Sequence, residues 1–199
     1  RNNYFMRTLN SFIKKHTGNT DHRRRSMAGK KAEGIFLEYC KYNDIPTKVS
    51  SRQQDMKYHI DGYMRNGESY DVKSAKAGYK DKGLLLVEIS NVAGNKGWCN
   101  PDPEAPKWIN FYLDDKECFL CVKNSDLYDY VVKNTKIRTK ITDDKSEAQK
   151  NGFGYTRKGR EDLMIWIKKE QITDNCEHFF IYKNSEKCKP KEYCPIELL

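Results

Sequence analysis

Asp61, Asp71 and Lys73 are the residues whose types and spacing could do chemistry. Two carboxylates on neighbouring strands repel unless a cation lies between them, and a hard divalent ion bound by one or two carboxylates is the usual solution. A lysine two residues beyond Asp71 points to the same side of an extended strand. There it could hold an attacking water or a phosphate oxygen beside the metal, so the trio has the parts for metal-assisted phosphodiester hydrolysis. The plain alternative is a solvated strand face on which Lys73 pairs with Asp61 or Asp71.

The element that must position them is a tight hairpin running from Tyr58 to Ser74. Asn66-Gly67 is a strong hairpin signal, because both residues tolerate positive φ, and β-branched and aromatic residues flank it. A three-residue loop, Arg65-Asn66-Gly67, sets Gly62 opposite Tyr70, Asp61 opposite Asp71, Ile60 opposite Val72 and His59 opposite Lys73. A two-residue loop would mix apolar and charged groups on both faces. The first register is therefore expected, since a one-residue slip carries a strand's apolar set to the wrong side.

Asp61, nine intervening residues and then Asp71-Val72-Lys73 resembles the core of the PD-(D/E)xK nuclease superfamily, with Ile60 in place of the proline. The resemblance covers about residues 26 to 92. It implies a restriction-endonuclease-like α/β fold, in which Asp61 and Asp71 bind Mg²⁺ or Mn²⁺, Lys73 assists the nucleophile and the Val72 carbonyl serves as a main-chain metal ligand. Gly29-Lys-Lys-Ala-Glu33 resembles the G-x-x-x-E form of resolvase-like and exonuclease-like members, which implies that Glu33 completes the metal shell directly or through water.

Helical spacing of Ala32, Ile35, Phe36, Tyr39 and Cys40 predicts a helix from about Ser26 to Asn43. Glu33 lies one step off that apolar stripe and can reach the hairpin from the helix edge; Glu38 lies farther round. Gly83 to Ser90 is a nearly unbroken apolar run, expected to be a buried strand beside the hairpin in one mixed central sheet. Glu88 is its anomaly, an acid that needs a partner or a metal. The 94–98 segment, Gly-Asn-Lys-Gly-Trp, lacks the spacing of a phosphate-cradling P-loop and reads as a mobile loop, with Trp98 packing rather than stacking on a base.

Downstream, Trp108 to Leu113 and Cys118 to Val122 read as a second hairpin. Ser125 would cap a helix from about Asp126 to Asn134 with Leu127, Tyr130 and Val131 inward, and Leu163 to Ile167 and His178 to Tyr182 read as late strands. Residues 135 to 160 are polar and basic and read as a loop or substrate flap, with Arg157-Lys158-Gly159-Arg160 its densest cluster.

The 199 residues fit one domain, about 26–199, with a β-rich C-terminal extension, preceded by a basic helix and arm over 1–25. Residues 3 to 16 carry an amphipathic helical pattern. The net charge of +9 is concentrated in residues 1 to 31, where nine Lys/Arg meet one acid, Asp21. Such a local excess suits an anionic polymer held through its phosphates. Arg23, Arg24, Arg25, Lys30, Lys31 and Lys76 are the candidate nucleic-acid contacts, with DNA favoured over RNA.

With 33% charged residues and no apolar run near the ~18 needed for a spanning helix, a membrane protein is excluded. Seven scattered cysteines and no apolar leader point to a reducing, intracellular setting: cytoplasm, nucleoid or nucleus, or the inside of a host cell for a viral protein. Cys118-Phe-Leu-Cys121 reads as strand, and Cys176, His178, Cys188 and Cys194 match no trusted zinc spacing. The expected function is a metal-dependent nuclease, compatible with a homo-oligomer. A non-catalytic nucleic-acid-binding module on the same fold, and a protein whose basic arm meets an acidic partner, are the alternatives.

Overall fold

The computed structural model describes residues 20–64, 66–74, 83–113 and 116–183. In chain order the elements are α1 (Thr20–Tyr42), β1 (Thr47–Val49), α2 (Arg52–Tyr58), β2 (Gly62–Met64), β3 (Ser69–Ser74), β4 (Leu84–Ser90), β5 (Trp108–Leu113), β6 (Cys118–Lys123), α3 (Asn124–Asn134), β7 (Lys136–Thr142), α4 (Lys145–Asn151), β8 (Phe153–Tyr155), β9 (Leu163–Lys168), α5 (Lys169–Thr173) and β10 (His178–Tyr182). They form a mixed α/β architecture with two sheets. One has six strands in the order β1-β2-β3-β5-β6-β10, the other four in the order β4-β9-β8-β7. Each is mixed: β3 runs parallel to β5 and β7 to β8, and the remaining pairs are antiparallel.

Period-two alternation divides the six-stranded sheet between two cores. Tyr70, Val72, Trp108, Phe119, Cys121, Phe179 and Ile181 pack against Ala32, Phe36, Tyr39 and Cys40 of α1. Their neighbours Ile109, Phe111, Leu113, Leu120, Val122 and Phe180 point the other way, against Leu85, Val87, Ile165 and Ile167 of the four-stranded sheet and Leu127 and Val131 of α3. Phe119 is the densest aromatic junction, with ring centroids 5.1 Å from Phe36, 5.6 Å from Tyr39 and 4.9 Å from Tyr112.

Several expectations change. β4 does not join the sheet of the hairpin; β5 takes the place beside β3, and β4 is an edge strand of the other sheet. A continuous apolar run signals burial but not the partner, and only Leu85 and Val87 of β4 are fully buried. Most of residues 135–160 is not a loop: 136–155 form β7, α4 and β8, and 156–160 remain a turn. Helix α2 leads into the hairpin without an apolar pattern to announce it, and α1 begins at Thr20, so Arg23, Arg24 and Arg25 lie in its backbone rather than in an arm. Ser125 is not the cap of α3, whose cap position is Lys123 without a side-chain hydrogen bond. The second hairpin, the buried face of α3 and the two late strands fall where expected. The 3–16 helix, Arg65, Lys76, Cys188 and Cys194 lie outside the described residues.

Cys40, Cys99, Cys118, Cys121 and Cys176 are free, buried thiols. Among the described residues no helix is long and apolar enough to cross a membrane.

Candidate active site

The hairpin adopts the expected register, with Gly62 opposite Tyr70 and Tyr63 opposite Ser69. Gly67 supplies the left-handed turn residue (φ 81°), its N–H donating to the Met64 carbonyl. Gly62 is required by close approach, since a Cβ there would stand 2.5 Å from the Tyr70 hydroxyl and 2.6 Å from the Lys48 carbonyl. Tyr70 in turn stacks on Phe36 of α1, at 4.8 Å between centroids. One side of β3 thus anchors the hairpin, which leaves Asp71 and Lys73 on the other side.

β2 is shorter than the sequence suggests, and the reason lies at His59. This residue caps α2 in the left-handed conformation (φ 59°), its N–H donating to the Asp55 carbonyl, so the chain is still turning until Asp61. Asp61 makes the last backbone ladder bond, N–H to the Tyr70 carbonyl at 2.9 Å. Its carboxylate then takes the next position: Val72 N–H donates to Asp61 Oδ2 at 2.7 Å. Asp61 is fixed half-buried at the edge of the hairpin, within the field of Asp71 on β3 and of Glu33 on α1.

Asp71 is buried, with 3% exposure. Lys73 Nζ lies 2.5 Å from its Oδ2, yet that oxygen receives no well-directed hydrogen bond. Burial, then the neighbouring Asp71 charge, pushes the Asp61 carboxyl from its ordinary value up to about 7. Burial raises Asp71 as well, against the pull of Lys73. Two crowded carboxylates beside one lysine are groups that could hold a hard divalent cation.

Glu33 is half-buried on α1 and its carboxyl is raised, by burial first and then by the charges of Asp61 and Asp55. It therefore shares the field of the hairpin, as its place at the edge of the apolar stripe suggests. Among the described residues no three His, Cys, Asp or Glu side chains gather tightly enough to hold a metal ion. A Mg²⁺ ion commonly takes only one or two carboxylates and keeps several waters, so Asp61 and Asp71 fit it without a third. Val72 contributes a buried side chain to the α1 core and its N–H to Asp61. Lys30 and Lys31 are exposed on α1, and the Lys30 charge reaches Glu33.

Trp98 enters the site from a direction the sequence does not show. It is buried, with 7% exposure, and Lys73 Nζ lies over its ring at 5.1 Å from the centroid. Its carbonyl accepts from the side-chain amide of buried Asn124, which also donates to the Pro106 carbonyl, and Asn100 donates to the Gly97 carbonyl. The 94–98 segment, expected to be a mobile loop, thus ends in a pinned residue. Glu88 is half-buried and its charge reaches His59, so β4 borders the site from the second sheet. His59 itself is lowered by burial and by Lys73.

No family model, no curated protein and no solved structure matches the chain. Its chemistry is therefore read from the geometry just described.

Proposed function

We propose that the protein is a metal-dependent nuclease with a restriction-endonuclease-like core, acting on DNA in preference to RNA. The observation that carries this reading is the crowding of Asp61 and Asp71 beside Lys73, on a hairpin whose opposite side is anchored to α1. Two carboxylates crowded at this depth are costly to the fold unless cations offset them, and Lys73 supplies only one positive charge, so a bound divalent ion accounts for the remainder. The mixed sheet covered by α1 supports the restriction-endonuclease-like reading.

Asp61 and Asp71 would hold Mg²⁺ or Mn²⁺, with the Val72 carbonyl and Glu33 as supporting ligands, directly or through water. Bound there, the ion supplies Lewis-acid activation of water and of the phosphodiester. Lys73 would orient the attacking water or take its proton, held between Asp71 and the face of Trp98. Val72 N–H keeps one Asp61 oxygen directed along the hairpin edge. Lys30 and Lys31, with Arg23, Arg24 and Arg25 farther along α1 and Lys76 after β3, would attract the phosphate backbone.

A non-catalytic nucleic-acid-binding module is the second reading, favoured by the Lys73–Asp71 ion pair, which holds the candidate base on a carboxylate. Labelled single- and double-stranded DNA and RNA, incubated with Mg²⁺, Mn²⁺ or EDTA, separate the two. Metal-dependent cutting by the wild type, reduced about 10²–10⁴-fold in Lys73→Ala, is expected of the nuclease. Binding that survives EDTA without cutting would instead establish the binding module.

A further inference from the structure

Arg157-Lys158-Gly159-Arg160 connects β8 to β9 as a turn built on a buried acid. Asp162 is 1% exposed. It accepts from Arg157 N–H at 2.9 Å and pairs with the Arg157 guanidinium, with the Thr156 hydroxyl oxygen 3.4 Å away. Arg160 N–H donates to the Arg157 carbonyl at 2.9 Å, the Thr156 hydroxyl donates to the Arg160 carbonyl at 3.1 Å, and Gly159 supplies the left-handed residue (φ 70°). Only the Asp162 end of this ion pair is buried, so the pair contributes little net stability, but with the backbone hydrogen bonds it fixes the shape of the turn. What it fixes here is the pair Lys158 and Arg160, both exposed and neither in an ion pair among the described residues.

The turn is linked to the candidate active site through β4 and the loop that follows it. Ser90 at the end of β4 donates to the Glu161 carbonyl at 3.0 Å, Glu161 N–H meets the Val92 carbonyl, and Gly94 makes room for the Glu161 side chain. Two residues back along β4, about 7 Å away, the Glu88 carbonyl accepts from Cys99 N–H, and Gly97 N–H donates to Ile89. Trp98 lies between those two bonds, with its ring under Lys73. A short chain of packed contacts therefore runs from Lys73 through Trp98 and the 91–97 loop to the turn.

We propose that the 157–160 turn is a preformed phosphate-gripping element, in which Lys158 and Arg160 hold the nucleic-acid backbone beside the Asp61–Asp71–Lys73 centre. This rests on the nucleic-acid reading of that centre. The contact is sequence-independent, because it reads charge and not bases.

The test is anisotropy of fluorescein-labelled single- and double-stranded DNA in EDTA across a KCl series, with the full chain. The variants are Lys158→Glu/Arg160→Glu and a control of equal charge change, Lys41→Glu/Lys133→Glu, on exposed positions of α1 and α3. Circular dichroism and the melting temperature of each variant report folding. The turn variant is expected to bind about tenfold or more weaker near 100 mM KCl, with a salt slope shallower by roughly 1.4–1.8 for two lost contacts, while the control stays within about twofold. Equal losses in both variants, or none in the turn variant while the wild type binds, overturn the proposal and leave the nuclease reading standing. A wild type that neither binds nor cuts any of the nucleic acids overturns both.

Discussion

Two hairpins of the six-stranded sheet share an antiparallel design and differ in what their inner residues ask of the fold. In the β5–β6 hairpin nearly every side chain is buried and apolar: Ile109, Phe111, Leu113, Phe119, Leu120 and Val122 have 0–2% exposure. Asn110 is its exception, fully buried with both amide atoms unpartnered. The β2–β3 hairpin is apolar only where it meets α1. Its other side carries Asp71 and Lys73, with Asp61 at the edge, and like charges are confined together. The first hairpin contributes stability through packing; the second confines like charges at a cost to stability.

That contrast can be broken from either side. Phe119→Ala removes the ring that meets Phe36, Tyr39 and Tyr112 and should lower unfolding free energy by about 3–5 kcal/mol, measured by urea denaturation in EDTA. A loss under ~1 kcal/mol would mean that the packed hairpin does not dominate stability.

Asp61 sharpens the comparison through pH. Its folded-state value is raised from 3.8 to about 7, so the native chain holds this proton more tightly than the unfolded chain. The sign follows: metal-free stability falls as pH rises from about 4 to about 7 through this group. Asp162 and Glu68, whose values are lowered, act in the opposite direction at lower pH. Comparing melting temperatures near pH 5 and pH 7.5 in EDTA, Asp61→Asn should lose less stability on going to the higher pH than the wild type does. An unchanged pH dependence would show that the carboxylates are not crowded.

The smallest expected effect is at Trp98. Trp98→Leu removes a cation–π contact of about 0.5–2 kcal/mol, so kcat for cleavage should fall by roughly 2- to 30-fold with KM little changed. Trp98→Phe, which keeps a ring face for Lys73, should recover much of that loss. A KM effect of the same size in both variants would assign Trp98 to substrate binding.

How much was legible in the sequence follows the same division. The hairpin register could be read because a slip would have put Tyr70 and Val72 on the wrong side, and α1 because Ala32, Phe36, Tyr39 and Cys40 recur on one stripe. Helix α2 has no buried residue, hence no apolar period to find; its signal was the Ser51/Gln54 capping box, with Ser51 accepting from Gln54 N–H. In α4 the cue was Asp144 ahead of Glu147, which caps the helix through two backbone N–H groups. No local pattern could send β4 to the second sheet, because strand partners are chosen by tertiary packing. The meeting of Trp98 with Lys73 depends on that choice, so it too was invisible.

On the proposed reading, Asp61 and Asp71 share a divalent cation. Isothermal titration of the EDTA-stripped chain with Mn²⁺ near pH 7.5 tests it most directly, comparing the wild type with Asp71→Asn. Saturable binding by the wild type that is lost or greatly weakened in Asp71→Asn is the expected result. Identical titrations for the two proteins, or no binding by the wild type, would contradict it.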